Sequence, residues 1–114
     1  MKILYQSYVD QEHGELYWHY LDAFLKKRCN HDTQIEIKGI TPYDSYAHPL
    51  VELRCSREMI CNVIKAEREG YDAVIVGHFQ DAGLYEAKSV VDIPVIGLGE
   101  ASMLYSCQLA QRIG

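Results

Sequence analysis

The residue of this sequence best suited to chemistry is His78. It follows the uninterrupted apolar run Ala73-Val74-Ile75-Val76 and Gly77, and it precedes a segment with helical spacing that starts near Asp81. A histidine at the end of a buried strand projects its ring where a ligand would lie. An imidazole, with an unperturbed pKa of roughly 6.5, exchanges protons near neutral pH. Two roles are open to His78: a base or ligand contact, or a cap that hydrogen-bonds the backbone of its own loop. Phe79 and Gln80 share that loop and join it as candidate substrate contacts. Further on, Gly97-Leu98-Gly99-Glu100 leads from a strand into a helix. Glycines there permit close ligand approach, and the unpaired amides of a helix start suit an anion such as a carboxylate. Gly99 and Glu100 are therefore candidate substrate contacts, while Glu100 equally complements the helix dipole.

Other chemistries find no support in residue spacing. The four cysteines (Cys29, Cys55, Cys61, Cys107) form no Cys-x-x-Cys pair, and the histidines at 13, 19, 31, 48 and 78 include no i, i+4 pair beside a cysteine. No metal site is expected, and the cysteines read as small buried or half-buried thiols. The pattern Gly-x-Gly-x-x-Gly is absent after the first strand, as is a Gly-Lys-Ser/Thr phosphate loop, so no nucleotide cofactor is expected. His13-Gly14 lacks the spacing of a cobalamin-binding module. The third strand ends in Gly77-His78 rather than in a phosphate-accepting aspartate.

The elements that must position these residues alternate between strand-like and helix-like segments, the pattern of a parallel sheet covered by helices. Lys2 to Gln6 reads as the first strand. Gly14 to Cys29 reads as a helix on the spacing of Tyr17, Tyr20, Leu21, Phe24 and Arg28. Its acidic start (Glu12, Glu15) and basic end (Lys26, Lys27, Arg28) complement the helix dipole, so the basic run needs no ligand. Thr33 to Ile40 alternates as a half-exposed strand does, and a loop with Thr41-Pro42 and His48-Pro49 follows. Leu50 to Glu69 is the second helix, with Leu50, Leu53, Ile60, Val63 and Ile64 as its expected inner face and Gly70 as its stop. Asp72 to Gly77 is a strand buried on both faces. A short helix near Asp81, a fourth strand over Ile93 to Ile96 and a last helix from Gly99 or Glu100 to about Arg112 complete the set.

Strand chemistry also orders the sheet. The alternating second strand and the fourth strand, with Pro94, belong at the edges; the apolar first and third belong inside. Right-handed crossovers then predict an α/β, three-layer, doubly wound domain over residues 1–114 with a four-stranded parallel sheet in the order 2-1-3-4. Ligands of such sheets bind beyond the strands' carboxyl ends, where the winding reverses. That crevice lies between Gln6-Ser7-Tyr8 and Gly77-His78-Phe79, which adds Gln6 and Ser7 to the candidate substrate contacts.

Composition narrows the setting. The chain has 114 residues, 16 acidic and 11 basic side chains, a net charge of −5 and 48% apolar residues. A chain of this size buries roughly two-thirds of its unfolded surface, enough for one core without disulfides. The acidic balance argues against nucleic-acid binding, which needs clustered Lys and Arg. No stretch approaches the roughly 20 apolar residues of a membrane span. The start Met1-Lys2-Ile3-Leu4-Tyr5 is too short and too soon polar for a signal peptide, so a cytoplasmic location is expected.

Two segments carry a resemblance. Tyr71-Asp-Ala-Val-Ile-Val-Gly-His-Phe-Gln-Asp-Ala-Gly-Leu and Val91-Asp-Ile-Pro-Val-Ile-Gly-Leu-Gly-Glu-Ala-Ser-Met resemble the Asp/Glu/hydantoin racemase family, nearest to its hydantoin racemase branch. The match is good over about residues 70–112 and rests before that on the order of elements. The resemblance implies a cofactor-independent isomerase of two similar lobes, each supplying a cysteine beside the substrate's α-carbon. In the family the first cysteine stands in a Cys-Phe-x-Asp-Pro-Gly-Leu setting; this chain has His78 there, followed by Phe79, Asp81, Gly83 and Leu84. The position carries over, and the thiol chemistry does not. Where the family often has Asn-Pro-Asn-Thr, this chain has Gln6-Ser-Tyr-Val. The chain stops at Ile113-Gly114, about where a linker to a second lobe is expected. The expected partners are a small molecule with a carboxylate or hydantoin ring and either a second copy of the chain or a second lobe. The competing reading is a non-catalytic small-carboxylate-binding or regulatory domain that kept the fold.

Overall fold

Apolar strands paired side by side order the chain as a parallel sheet. In a computed structural model, which describes residues 1–41 and 49–112, the strands are β1 (Lys2–Asp10), β2 (Gln34–Ile40), β3 (Ala73–Gly77) and β4 (Val95–Gly97). They lie in the order β2-β1-β3-β4, all parallel, as expected. The helices are α1 (Glu15–Lys26), α2 (Pro49–Arg68), α3 (Leu84–Lys88) and α4 (Leu98–Leu109). The loop expected from Pro42 to His48 and the end at Ile113-Gly114 lie outside the described residues.

Strand alternation assigns the layers. Gln6 points toward α2, where its Oε1 accepts from Asn62 Nδ2 at 2.9 Å, while the next residue, Ser7, points to the opposite face and meets the Tyr17 hydroxyl of α1 at 3.3 Å. Helices therefore cover both faces of the sheet. The core lies on the α2 and α3 side, where Leu4, Tyr8, Met59, Val63, Val74, Val76 and Leu84 are buried together. The other side is thinner. Helix α1 buries no residue fully, and α4 buries only Gly99. Leu16, Tyr20 and Phe24 of α1 and Met103, Leu104, Tyr105 and Leu109 of α4 stay exposed.

Several boundaries differ from expectation for tertiary reasons. β1 continues four residues past Gln6, because Ser7 pairs with Gly77 and Asp10 with Ile40. Gln6, Ser7 and Tyr8 are thus strand residues on alternating faces rather than one crevice wall. Strand β4 starts at Val95 instead of Ile93; Pro94 contributes only its carbonyl, which accepts Val74 N–H at 2.9 Å. Helix α3 begins at Leu84, after a turn closed by Asp81 N–H to His78 O and Leu84 N–H to Asp81 O, both 3.0 Å.

The inner face of α2 is also corrected. Leu50 and Leu53 are exposed and Ile64 only half-buried; Cys55, Ser56, Met59, Asn62, Val63 and Ala66 face the sheet. Polar residues can lie inside because their groups are satisfied. Ser56 Oγ donates to Glu52 O at 2.5 Å, and Asn62 joins Gln6 to Lys38, whose Nζ donates to Asn62 Oδ1 at 2.7 Å. Of the cysteines, Cys55 is buried and Cys29 half-buried as expected, whereas Cys61 and Cys107 are exposed.

Helix α4 is anchored by one carboxylate. Asp81 accepts the N–H of Gly99 at 3.0 Å and that of Glu100 at 2.5 Å, filling the anion position that a helix start offers. To do so it holds φ at +51°, which is uncommon for a residue other than glycine. Gly99 must be a glycine, since a Cβ there would stand 2.1 Å from Phe79 O.

Asp81→Ala is expected to lower stability by about 1–3 kcal/mol, the scale of buried amides left unsatisfied. Met59→Ala, at a fully buried site, is expected to cost about 2–5 kcal/mol. Urea unfolding followed by circular dichroism checks both.

Candidate functional site

At the carboxyl ends of β1 and β3 two aromatic rings meet. Tyr8, on β1, and His78, directly after β3, stack with centroids 4.5 Å apart and planes within 6° of parallel. The sequence makes this local geometry possible through Gly77. A Cβ at that position would come within 2.2 Å of the Tyr5 ring on the far face of β1, so β3 can sit flush against β1 only with glycine there. The Tyr8 hydroxyl donates to Ala82 O, which fastens the tyrosine to the loop that carries His78. Burial pushes the Tyr8 phenol up to about 12, against a hydrogen bond with Ser56 that pulls it down; the nearby Cys55, Glu52 and Asp81 add to the rise. Tyr8 is therefore a neutral wall at physiological pH and not a proton donor to solvent.

The His78 ring is held edge-on by α2. Its Nε2 is enclosed and has no hydrogen-bond partner among the described residues, and it lies 3.6 Å from Glu52 Oε1 in the first turn of the helix. That distance makes an ion-pair contact when the ring is charged and is too long for a hydrogen bond. The His78 side chain keeps 24% of its surface exposed and that of Glu52 keeps 42%. A partly exposed imidazole backed by a carboxylate can take up and return a proton.

On the opposite face of β1, a second set of hydroxyls gathers around Tyr5, Ser7 and Tyr17. Burial, reinforced by Tyr17, pushes the Tyr5 phenol up to about 12. The sheet separates this cluster from His78.

The residues singled out from sequence are placed unequally. His78 is at the crevice. Phe79 is 54% exposed beside it, and Gln80 is exposed on the same loop. Gln6 is fully buried, with Nε2 donating to Ser7 O, Lys38 O and Gly39 O at 2.9, 3.2 and 3.0 Å, so it holds β1 to β2 instead of facing a ligand. Ser7 is 1% exposed and turned away from His78 toward α1. The amides of Gly99 and Glu100 are occupied by Asp81, and the Glu100 carboxylate pairs with Lys88 at 2.6 Å. Sequence reasoning missed Tyr8 as a ring partner and Glu52 altogether. The available signal for Glu52 was its place in the first turn of the helix entering from the carboxyl edge of the sheet.

Among the described residues no cluster of three or more His, Cys, Asp or Glu side chains is arranged to hold a metal ion. No helix among them is long and apolar enough to cross a membrane.

Comparison with known proteins agrees with this architecture. The profile of the Asp/Glu/hydantoin racemase family matches residues 28–114. Over 54 residues the chain is 39% identical to a hydantoin racemase of Pseudomonas sp. (strain NS671), an alignment that spans 47% of this chain and 22% of that protein. An allantoin racemase from Klebsiella pneumoniae shares the fold with a TM-score of 0.80 over 95% of this chain and 43% of its own, at 18% identity. The chain thus covers less than half the length of either relative. With the profile matched across most of its length and the sheet order in place, the chain belongs to the Asp/Glu/hydantoin racemase family.

Proposed function

We propose that this chain supplies one half of a racemase-type site, in which His78 takes a proton from the α-carbon of a hydantoin or amino-acid-like substrate. The observation that carries the reading is the position of His78. Its partly exposed ring stands at the carboxyl end of β3, where the family resemblance puts the first catalytic cysteine, and it is backed by a carboxylate. In the proposed step the α C–H bond breaks and its electron pair moves toward the adjacent carbonyl as an enolate. The proton passes to the imidazole. Return of a proton to the same face regenerates substrate, and delivery from the other face inverts it. No cofactor is invoked.

An acid on the opposite face would come from a second copy of the chain or from a second lobe. Two observations support such a partner. The chain covers 43% of the length of the allantoin racemase chain that shares its fold, and the apolar side chains of α1 and α4 remain exposed. The four cysteines, all thiols, suit the reducing cytoplasm.

One observation favours a second reading, a domain that binds a small carboxylate without turnover. Asp81 already occupies the amides of α4 that would otherwise hold a substrate carboxylate and steady the enolate.

Proton NMR of a 5-substituted hydantoin in heavy water separates these readings. The wild-type chain is expected to speed loss of the α-proton signal over the protein-free rate, and His78→Ala to return it to that background. Loss of signal at the same rate in both proteins would remove His78 from the chemistry. Binding by calorimetry with no exchange would select the second reading. Light scattering of the purified chain is expected to give a homo-oligomer; a strict monomer would leave a separate second lobe as the source of the opposing acid.

A further inference from the structure

The imidazole of His78 is constrained on two sides by groups from different elements. Tyr8 of β1 lies flat against one face of the ring at 4.5 Å, which sets the ring plane. Glu52 of α2 lies in front of Nε2 at 3.6 Å, which sets the edge that points inward. Among the described residues Nε2 has no other partner, although it is buried. A buried ring nitrogen without a hydrogen bond is costly, and the simplest relief is a short approach of the carboxylate already beside it. Glu52 has the freedom to make it. It belongs to the first turn of its helix, and its side chain is 42% exposed. Unliganded sites often hold such contacts loosely and tighten them when charge develops.

We infer that Glu52 is the positioning residue of His78: its carboxylate accepts the Nε2–H, which leaves Nδ1 as the nitrogen that meets the substrate proton. This rests on the reading of His78 as the base. When the α C–H bond breaks, the proton adds to the Nδ1 lone pair and the electron pair stays on the substrate as the enolate. The ring becomes an imidazolium, and the adjacent carboxylate stabilises that charge. Return of the proton from Nδ1, or its exchange with water, restores the neutral ring with Nε2–H still on Glu52. A carboxylate–imidazole pair thereby takes over proton transfer at a position where the family resemblance places a thiol.

The electrostatic setting is compatible with this assignment. Tyr8 of β1 and Glu52 of α2 are the titratable groups in contact with the ring among the described residues, while Cys55 of α2 and Asp81 of the loop after β3 lie near the Tyr8 phenol. Asp81 is committed to the α4 amides. Tyr8 stays neutral because it is buried. Glu52 is therefore the carboxylate that answers to the ring, and its substitution is the decisive perturbation.

The test compares wild type, Glu52→Gln and Glu52→Asp by two measurements. The first needs no substrate: nitrogen-15-edited proton NMR of the imidazole N–H groups, with the His78 signal identified by its loss in His78→Ala. Wild type is expected to show a downfield Nε2-attached proton protected from water, Glu52→Gln to lose it, and Glu52→Asp to recover it in part. The second is hydantoin α-proton exchange in heavy water. Glu52→Gln is expected to slow exchange at saturating substrate by about tenfold to a hundredfold, the scale on which metal-bound histidines respond to loss of their carboxylate partners. KM should stay within about twofold.

An Nε2–H signal that is missing in wild type, or unchanged in Glu52→Gln, overturns the assignment. So does a Glu52→Gln variant with the wild-type exchange rate at saturating substrate. Should the NMR signature follow Glu52 while wild type exchanges no hydantoin proton, the Glu52–His78 contact stands and the racemase reading falls. Exchange that requires His78 and ignores Glu52 has the opposite meaning. Glu52 is half-exposed and outside the core, so the variants are expected to fold, and Glu52→Asp provides the internal check.

Discussion

The loop between β3 and α3 is held in place by the carboxylate of Asp81. By accepting both Gly99 N–H and Glu100 N–H it ties the end of β3 to the start of α4, two elements separated in sequence by α3 and β4. His78 starts this loop, and its carbonyl accepts the N–H of Asp81 at 3.0 Å, so the position of the imidazole follows from that of the carboxylate. The left-handed backbone at Asp81 shows that the geometry is imposed by this contact rather than by local preference. Gly99 completes it, since any side chain there would strike the carbonyl of Phe79.

Behind this loop the fold is asymmetric. On the α2 and α3 side, a hydrophobic core packs around a polar link in which Gln6, Asn62 and Lys38 satisfy one another. Such a link inside a packed layer fixes register, because displacing a strand by one residue would leave several buried groups unpaired. The α1 and α4 side has no comparable layer. Its exposed leucines, tyrosines and phenylalanine form the kind of surface that soluble chains cover with a partner or with more of the same chain. The α2 and α3 side carries Tyr8, Glu52 and His78, and the exposed apolar side chains of α1 and α4 lie on the other.

The family relationship and the chemistry at its site pull in different directions. Fold, strand order and sequence profile agree on the racemase family. At the end of β3, however, stands an imidazole with a tyrosine and a glutamate around it. A thiolate and an imidazole both take protons from carbon acids, but an imidazole needs a partner to set its orientation and balance its charge. The structure holds such a partner within reach of the ring.

The sequence by itself determined the layer architecture, the strand order and the place of His78 directly after the third strand. These follow from signals local to each segment: the unbroken apolar run of β3, the alternation of β2, the proline just before β4, and a glycine–histidine pair at a strand end. Tertiary structure decided the rest. Hydropathy set Leu50 and Leu53 inside α2, but the helix turned Ser56, Met59 and Asn62 inward, because small or satisfied polar groups let it approach the sheet. Gln6 and Ser7, adjacent in sequence, parted to opposite faces when pairing carried β1 on to Asp10. The amides of Gly99 and Glu100, open to a ligand on paper, met Asp81 instead. Glu52 came to His78 from a helix 26 residues earlier in the chain. Periodicity reports which way a side chain faces along its own element; only packing brings side chains from different elements to one place.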